Sequence, residues 1–344
     1  MAEETRDGGR VTESFDLTME GPEPRLDRFL VDRWSDIPRS RWEGWIRAGQ
    51  VRVNGEPATK PGTKLRAGDR IEGRLPDLPP PALHLEGEAI ELPTLFEDNR
   101  LWIVDKPGGM VVHPGPGHPS GTIVNALLGR LEAGGRRLEG LEAENESESG
   151  DEVPDAPWPG LVHRLDRYTT GCLCLAKDAD AQRAIQSQFK ARTVEKRYLA
   201  ICRMGRRLPE LGSLLIDEPL LRHRTERLKM TVAVAGRPSQ TRVRVLGKAA
   251  GLALIECELL TGRTHQIRVH LGHIGSPLLG DPLYGGAPRW QDAQQRPLLA
   301  PHPILHAWKL SVDHPGDGHR IDAIAPLPEA FRELLARLEL PEPV

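Results

Sequence analysis

Five consecutive apolar residues, Cys172-Leu173-Cys174-Leu175-Ala176, follow the loop His163-Arg164-Leu165-Asp166-Arg167-Tyr168-Thr169-Thr170-Gly171 and stop at Lys177-Asp178. A run this short, bounded by a glycine and a charged pair, reads as a buried strand. The loop ahead of it enters the core, where a rigid scaffold can hold a reactive group. That loop carries one carboxylate, Asp166, between Arg164 and Arg167, whose charges favour its ionised form. The plainer reading is a loop aspartate that caps a turn or pairs with a surface arginine.

Other runs of the same kind follow along the chain. Residues 101–105, 198–202, 240–246, 253–259, 304–312 and 321–325 read as strands. Residues 122–131, 179–192 and 264–274 read as helices, the second amphipathic with Ile185 and Phe189 on one face. Many strands with few helices predict an α+β fold, a mixed and largely antiparallel sheet with flanking helices, over residues 94–340. Ahead of it, residues 22–76 form a small α/β unit. Leu26, Phe29 and Leu30 recur at helical spacing, as do Trp42, Trp45 and Ile46, and Asn54-Gly55 marks a hairpin turn. Residues 1–21 show no periodicity and are expected to be a disordered tail. Residues 77–93, with Pro79-Pro80-Pro81, are expected to be a stiff linker. Residues 132–157, polar, acidic and glycine-rich, are expected to be a disordered insertion at a loop tip.

The chain has 344 residues and a net charge of −3, which argues against a nucleic-acid partner only until its distribution is considered. Basic residues outnumber acidic ones between 25 and 74. Glu142, Glu144, Glu146, Glu148, Asp151 and Glu152 crowd one segment, so a cationic patch can coexist with an acidic total. Cys172, Cys174, Cys202 and Cys257 sit in apolar runs without paired metal-site spacing, as buried thiols of a reducing compartment would. The polar N-terminus and the lack of any bilayer-length apolar run point to a cytoplasmic protein. His265, His270 and His273 suggest a metal, but no carboxylate lies between 264 and 276 and no H-E-x-x-H pattern is present. No metal is expected.

Four segments resemble, in order, the motifs of the RluA-type pseudouridine synthases. They are Asp105-Lys106-Pro107-Gly108-Gly109, His163-Arg164-Leu165-Asp166 through Gly171, Lys196-Arg197-Tyr198, and Gly262-Arg263-Thr264-His265-Gln266-Ile267-Arg268. Thr170 stands where that family usually has serine and keeps the hydroxyl. The resemblance implies a curved sheet around a cleft, Asp166 as catalytic aspartate, Tyr198 stacking on the target base, and Arg268 paired with the aspartate. Arg164 would fill the place of an extruded base or bind the RNA backbone, Arg167, Arg263 and His265 are expected to face the RNA, and His163 to contact either loop backbone or an RNA phosphate. The small unit resembles an S-four-type RNA-binding module, with Arg39, Arg41, Arg47 and Arg52 on its basic face. The partner implied is structured RNA, large-subunit rRNA before tRNA, acted on by a monomer that needs no cofactor. The competing expectation is a non-catalytic RNA-binding assembly factor, which would have no use for Asp166, Tyr198 and Arg268 together.

Overall fold

The computed structural model describes residues 4–7, 10–19, 24–34, 37, 39–74, 86–115, 118–136, 160–223, 225–226 and 228–343. The chain divides into two compact units, Met1–Ala82 and Leu83–Val344. Most of the expected linker and nearly all of the acidic segment lie outside the described residues.

The first unit contains β1 (Glu4–Asp7), β2 (Arg10–Thr18), α1 (Leu26–Arg33), α2 (Arg39–Arg47), β3 (Val51–Val53), β4 (Glu56–Pro57) and β5 (Arg70–Arg74). Its five strands form one sheet in the order β1-β2-β5-β3-β4. Asn54 and Gly55 both have positive φ, 54° and 82°, as a tight two-residue hairpin turn between β3 and β4 requires. The expectation of a disordered tail over residues 1–21 is corrected here. β2 pairs with β5 from Ser14↔Arg74 to Thr18↔Arg70. Phe15 and Met19 are buried, and Leu17 packs beside them on the core built by Leu26, Leu30, Trp42 and Ile46. The reason is a period-2 pattern, Phe15-Asp16-Leu17-Thr18-Met19, embedded in acidic sequence.

The second unit contains β6 (Thr94–Glu97), β7 (Leu101–Lys106), α3 (Ile123–Ala133), β8 (Thr170–Ala176), α4 (Ala179–Ala191), β9 (Glu195–Arg203), β10 (Gly212–Asp217), β11 (Leu220–Arg222) and β12 (Met230–Val232). It continues with β13 (Gln240–Ala249), β14 (Leu252–Leu259), α5 (Gln266–His273), β15 (Arg289–Gln291), β16 (Pro297–Leu299), β17 (Leu305–Asp313), β18 (Arg320–Ile324) and α6 (Glu329–Arg337). A nine-stranded sheet runs β10-β13-β14-β9-β17-β8-β7-β6, with β18 beside β17. Every pairing in it is antiparallel except β17 with β8. The fold is therefore α+β, a mixed and mainly antiparallel sheet with flanking helices, as the sequence predicts.

Period-2 alternation explains why the run 172–176 has no polar position. Leu173 and Leu175 face the core shared with Ile123 and Leu127 of α3 and Ile267 and Leu271 of α5. Cys172 and Cys174 face the opposite core with Ala181 and Ile185 of α4. Both faces of β8 are covered, so both must be apolar. Asp178 ends the strand and starts the next helix, because its carboxylate accepts the Ala181 amide at 2.8 Å. Gly171 has φ +106°, and a Cβ there would meet the Ala307 carbonyl at 2.2 Å. Only glycine lets β8 reach β17 at that point. The same alternation on β9 turns Tyr198 toward the α5 side of the sheet, while Leu199 faces the α6 side. Among the described residues no helix is long and apolar enough to cross a membrane.

Candidate active site

Asp166 lies in the loop that leads into β8, and its surroundings fix that loop from below. The Thr169 amide donates to the Asp166 carbonyl at 3.1 Å, closing a turn. The turn after β7 is stitched to it: the Gly109 amide donates to the Arg167 carbonyl at 2.9 Å, and Arg167 Nε donates to the Gly109 carbonyl at 2.9 Å. Lys106, wholly buried, donates from Nζ to the carbonyls of Pro107, Met110 and Arg167 at 2.8, 2.9 and 3.0 Å. Burial pushes the Lys106 ammonium down to about 8, against the pull of the Asp166 charge.

Arg268 reaches Asp166 from α5, with Nη1 2.9 Å from Oδ2. The start of that helix is locked by Gln266, whose buried amide donates to the Gln240 carbonyl and Thr241 Oγ1. Its oxygen accepts from Thr261 Oγ1 and from the Arg263 amide. Arg268 also donates from Nε and Nη2 to Asp281, at 2.7 and 2.9 Å. Burial opposes the guanidinium charge, but the Asp281 hydrogen bonds and the Asp166 and Asp281 charges outweigh it and raise its pKa. His265, in the left-handed conformation at φ 56°, places Nε2 3.9 Å from Asp166 Oδ2. Burial lowers its pKa, while the charge of Asp166 opposes the shift.

The Asp166–Arg268 pair stands between two hollows. The smaller, about 120 Å³, is bounded by Tyr198, Leu259, Ile267, Leu305 and Lys196. Burial raises the Tyr198 pKa, and the Asp166 charge adds to it, so the phenol is neutral. Lys196 is brought down to about 8 by burial and then by the charge of Arg192. The larger hollow, about 400 Å³, is bounded by His118, Tyr168, His302, Pro282 and Val112. Tyr168 and His302 stack with centroids 3.5 Å apart.

The structure thus brings Asp166, Tyr198 and Arg268 together, with Arg164, Arg263 and His265 around them and Arg167 on the larger hollow. For His163 the RNA-binding expectation is corrected in favour of its alternative, a contact to protein backbone. Its imidazole is 7% exposed, stacks on Phe189 and accepts the Cys174 amide at Nε2, 2.9 Å away. Burial, and then the charge of Lys196, lowers its pKa to about 3, so it offers RNA no cation. Arg41, Arg47 and Arg52 are exposed on the first unit, and the Arg39 side chain lies outside the described residues. His270 is buried with both ring nitrogens engaged, by Thr241 Oγ1 and the Glu218 carbonyl, which takes it out of any metal set. Among the described residues His314, Asp317 and His319 do cluster within 4.8 Å, at the β17–β18 turn, and they hydrogen-bond one another. Lys106, Asp281 and Tyr284 escaped sequence reasoning in these roles. The signal for Lys106 was its place in the Asp105–Gly109 motif, where a lysine ends an apolar strand.

Residues 100–273 match the family of the RNA pseudouridylate synthases, and residues 24–71 match the S4 domain. Over 91% of its length the chain is 36% identical to a ribosomal large subunit pseudouridine synthase D of Xanthomonas campestris, covering 88% of that protein. It is 39% identical to the protein of that name from Nitrosomonas europaea, over 90% of this chain and 83% of the relative. It is 37% identical to the uncharacterized RNA pseudouridine synthase YlyB of Bacillus subtilis, over 91% of this chain and 94% of that one. Among solved structures, human RNA pseudouridylate synthase domain containing 4 aligns with a TM-score of 0.52 at 26% identity, covering 73% of this chain and 95% of that one. Family models over residues 24–71 and 100–273, with relatives 36–39% identical over 90% or more of the chain, leave one assignment: it belongs to the RNA pseudouridylate synthases, isomerases that convert uridine to pseudouridine, and carries an S4 domain ahead of its catalytic unit.

Proposed function

We propose that this enzyme isomerises uridines of large-subunit ribosomal RNA in the cytoplasm, with Asp166 as the catalytic carboxylate and no cofactor. The rRNA substrate is supported by the names of the relatives and by the S4 domain. The four buried free thiols suit a reducing compartment. Residues 94–340 carry the chemistry, and the first unit supplies basic surface for the RNA.

The reaction breaks the bond from uracil nitrogen 1 to ribose carbon 1′, turns the base, and joins carbon 5 to carbon 1′. Carbon 5 loses a proton and nitrogen 1 gains one, so no oxidant or energy-rich partner is needed. The base must be held throughout. A neutral phenol at Tyr198 and the apolar Leu259, Ile267 and Leu305 make the smaller hollow suited to a planar uncharged ring. The target uridine has to leave its stack to arrive there. Arg164, exposed beside Asp166, is suited to fill the vacated place or to bind the backbone phosphate.

The observation that carries this reading is the one-sided engagement of Asp166. Arg268 binds Oδ2, and among the described residues Oδ1 accepts no hydrogen bond. A carboxylate held by one oxygen keeps the other to attack the sugar, attack the base, or take a ribose proton. Asp166→Asn keeps the shape and removes the charge. Release of tritium from carbon 5 of labelled rRNA should fall below detection in this variant, with RNA affinity retained. Turnover near wild type would remove Asp166 from the chemistry.

A further inference from the structure

The segment Asp281-Pro282-Leu283-Tyr284 belongs to none of the sequence motifs, yet it surrounds the Arg268 side chain. Asp281 has no exposed surface. Its Oδ2 accepts Arg268 Nε, and its Oδ1 accepts both Arg268 Nη2 and the Leu283 amide, the last at 3.1 Å. The ring of Tyr284 lies 5.3 Å from the guanidinium carbon. With one edge of the fork taken by Asp281, Nη1 is the group aimed at Asp166. Tyr284 also acts on the second group beside that carboxylate. Its hydroxyl oxygen accepts the Met230 amide at 2.9 Å and lies 2.9 Å from His265 Nδ1. A hydroxyl that already accepts at its oxygen is free to donate its proton to Nδ1, and neutral His265 then carries its own hydrogen on Nε2, the nitrogen that faces Asp166.

We infer that Asp281 and Tyr284 are positioning residues of the isomerisation: Asp281 holds the Arg268 guanidinium in the direction that meets Asp166, and Tyr284 holds His265 with Nε2–H toward the same carboxylate. The inference rests on the reading of Asp166 as the catalytic carboxylate. Its physical basis is competition. An arginine beside an RNA site can form a fork-on-fork pair with a phosphate as readily as with a carboxylate. The bidentate bond to Asp281 removes that alternative, because turning away would leave a buried carboxylate without its partner. A guanidinium released from Asp281 would keep its attraction for RNA while losing its aim at Asp166. Loss of positioning therefore lowers kcat and leaves KM alone.

The test measures kcat and KM by tritium release from a large-subunit rRNA transcript labelled at carbon 5 of uridine, using the full chain. Asp281→Asn should lower kcat by about 100-fold, the scale of a small misplacement of a reacting group, with KM within about threefold of wild type. Tyr284→Phe, which keeps the ring, should lower kcat less and also spare KM. A wild-type kcat in Asp281→Asn overturns the inference, and so does a fall in kcat that only tracks a fall in folded fraction. If Asp281→Asn does not fold, Tyr284→Phe decides, its unchanged kcat overturning the inference and its reduced kcat at unchanged KM sustaining it. Melting temperatures give a separate arm. Arg268→Ala strands the Asp281 charge and should melt low, and adding Asp281→Asn should recover the melting temperature without recovering turnover. No recovery would count against the pairing. Asp166→Asn run alongside separates the two claims. If it is inactive while Asp281→Asn is unimpaired, only the positioning role fails, and if it is active the catalytic reading fails first.

Discussion

At the scale of residues, the site is a carboxylate held by cations that are themselves held. Arg268 answers to Asp281, and the Asp166 loop answers to Lys106, whose three donor positions are filled by three backbone carbonyls from two segments. Lys106→Met keeps the apolar stem and removes the ammonium, leaving those carbonyls without their shared partner. The unfolding free energy should drop by about 2–3 kcal/mol, the scale of losing charge-assisted hydrogen bonds at a buried position. The kcat should drop with it as the Asp166 loop loosens. Denaturant unfolding that matches wild type would show that the stitch contributes nothing. Asp166, Tyr198 and Arg268 were legible in the sequence because each sits in a motif with recognisable neighbours, and the structure does bring the three together. Asp281 and Tyr284 were not. They lie in a Gly-Asp-Pro turn without periodicity, and only three-dimensional convergence on Arg268 reveals them. For His163 the sequence leaves backbone and phosphate open as partners, and only the fold, which turns its side chain inward to the Cys174 amide, decides for backbone.

At the scale of elements, the strands of the large sheet were readable wherever apolar residues ran together, and two histidines buried against or on them make the unit sensitive to acid. His163 behind β8 and His306 on β17 are both buried, and burial lowers their pKa values to about 3 and about 4. In the unfolded chain both would titrate near 6.5. The folded form therefore resists protons that the unfolded form takes up. The stabilisation is present in full above about pH 6.5 and is lost as the pH falls toward 4, at up to about 1.4 kcal/mol per pH unit for each histidine. The melting temperature of the full chain should fall with pH across that window. His163→Gln, which keeps an acceptor for the Cys174 amide, should flatten the dependence, and an equal slope in wild type and variant would show that His163 is not part of it. Two elements escaped the sequence reading although their patterns are present. β2 alternates over only five residues within an acidic stretch. α6 carries Phe331, Leu334 and Leu335 at helical spacing, with Leu338 at its C-cap, in a C-terminal segment whose pattern is short. β10, β11 and β12 lack such a pattern, and exposed Leu211 and Leu215 at β10 break the polar–apolar alternation expected of an edge.

At the scale of the whole molecule, charge is divided along the chain by segment rather than averaged. Residues 24–74 hold 12 lysines and arginines against 7 acidic residues, within a chain whose net charge is −3. Arg41, Arg47 and Arg52 are exposed there, and Arg47 pairs with Glu43 at 3.4 Å, a surface pair of small energy. Their charges are available to phosphate. If the first unit binds rRNA by this face, replacing all three by alanine should leave the fold intact, since none packs in a core. It should weaken RNA binding and lower its sensitivity to salt. Each phosphate that is no longer neutralised makes the slope of log K against log salt shallower by about 0.7–0.9, so three of them should change it by about 2. Turnover at saturating RNA should hold, because Asp166, Tyr198 and Arg268 are untouched. The measurement is RNA affinity at several salt concentrations, paired with tritium release at saturating RNA. An unchanged salt slope would remove this face from the RNA interface, and a fall in saturated turnover would mean that the first unit does more than bind.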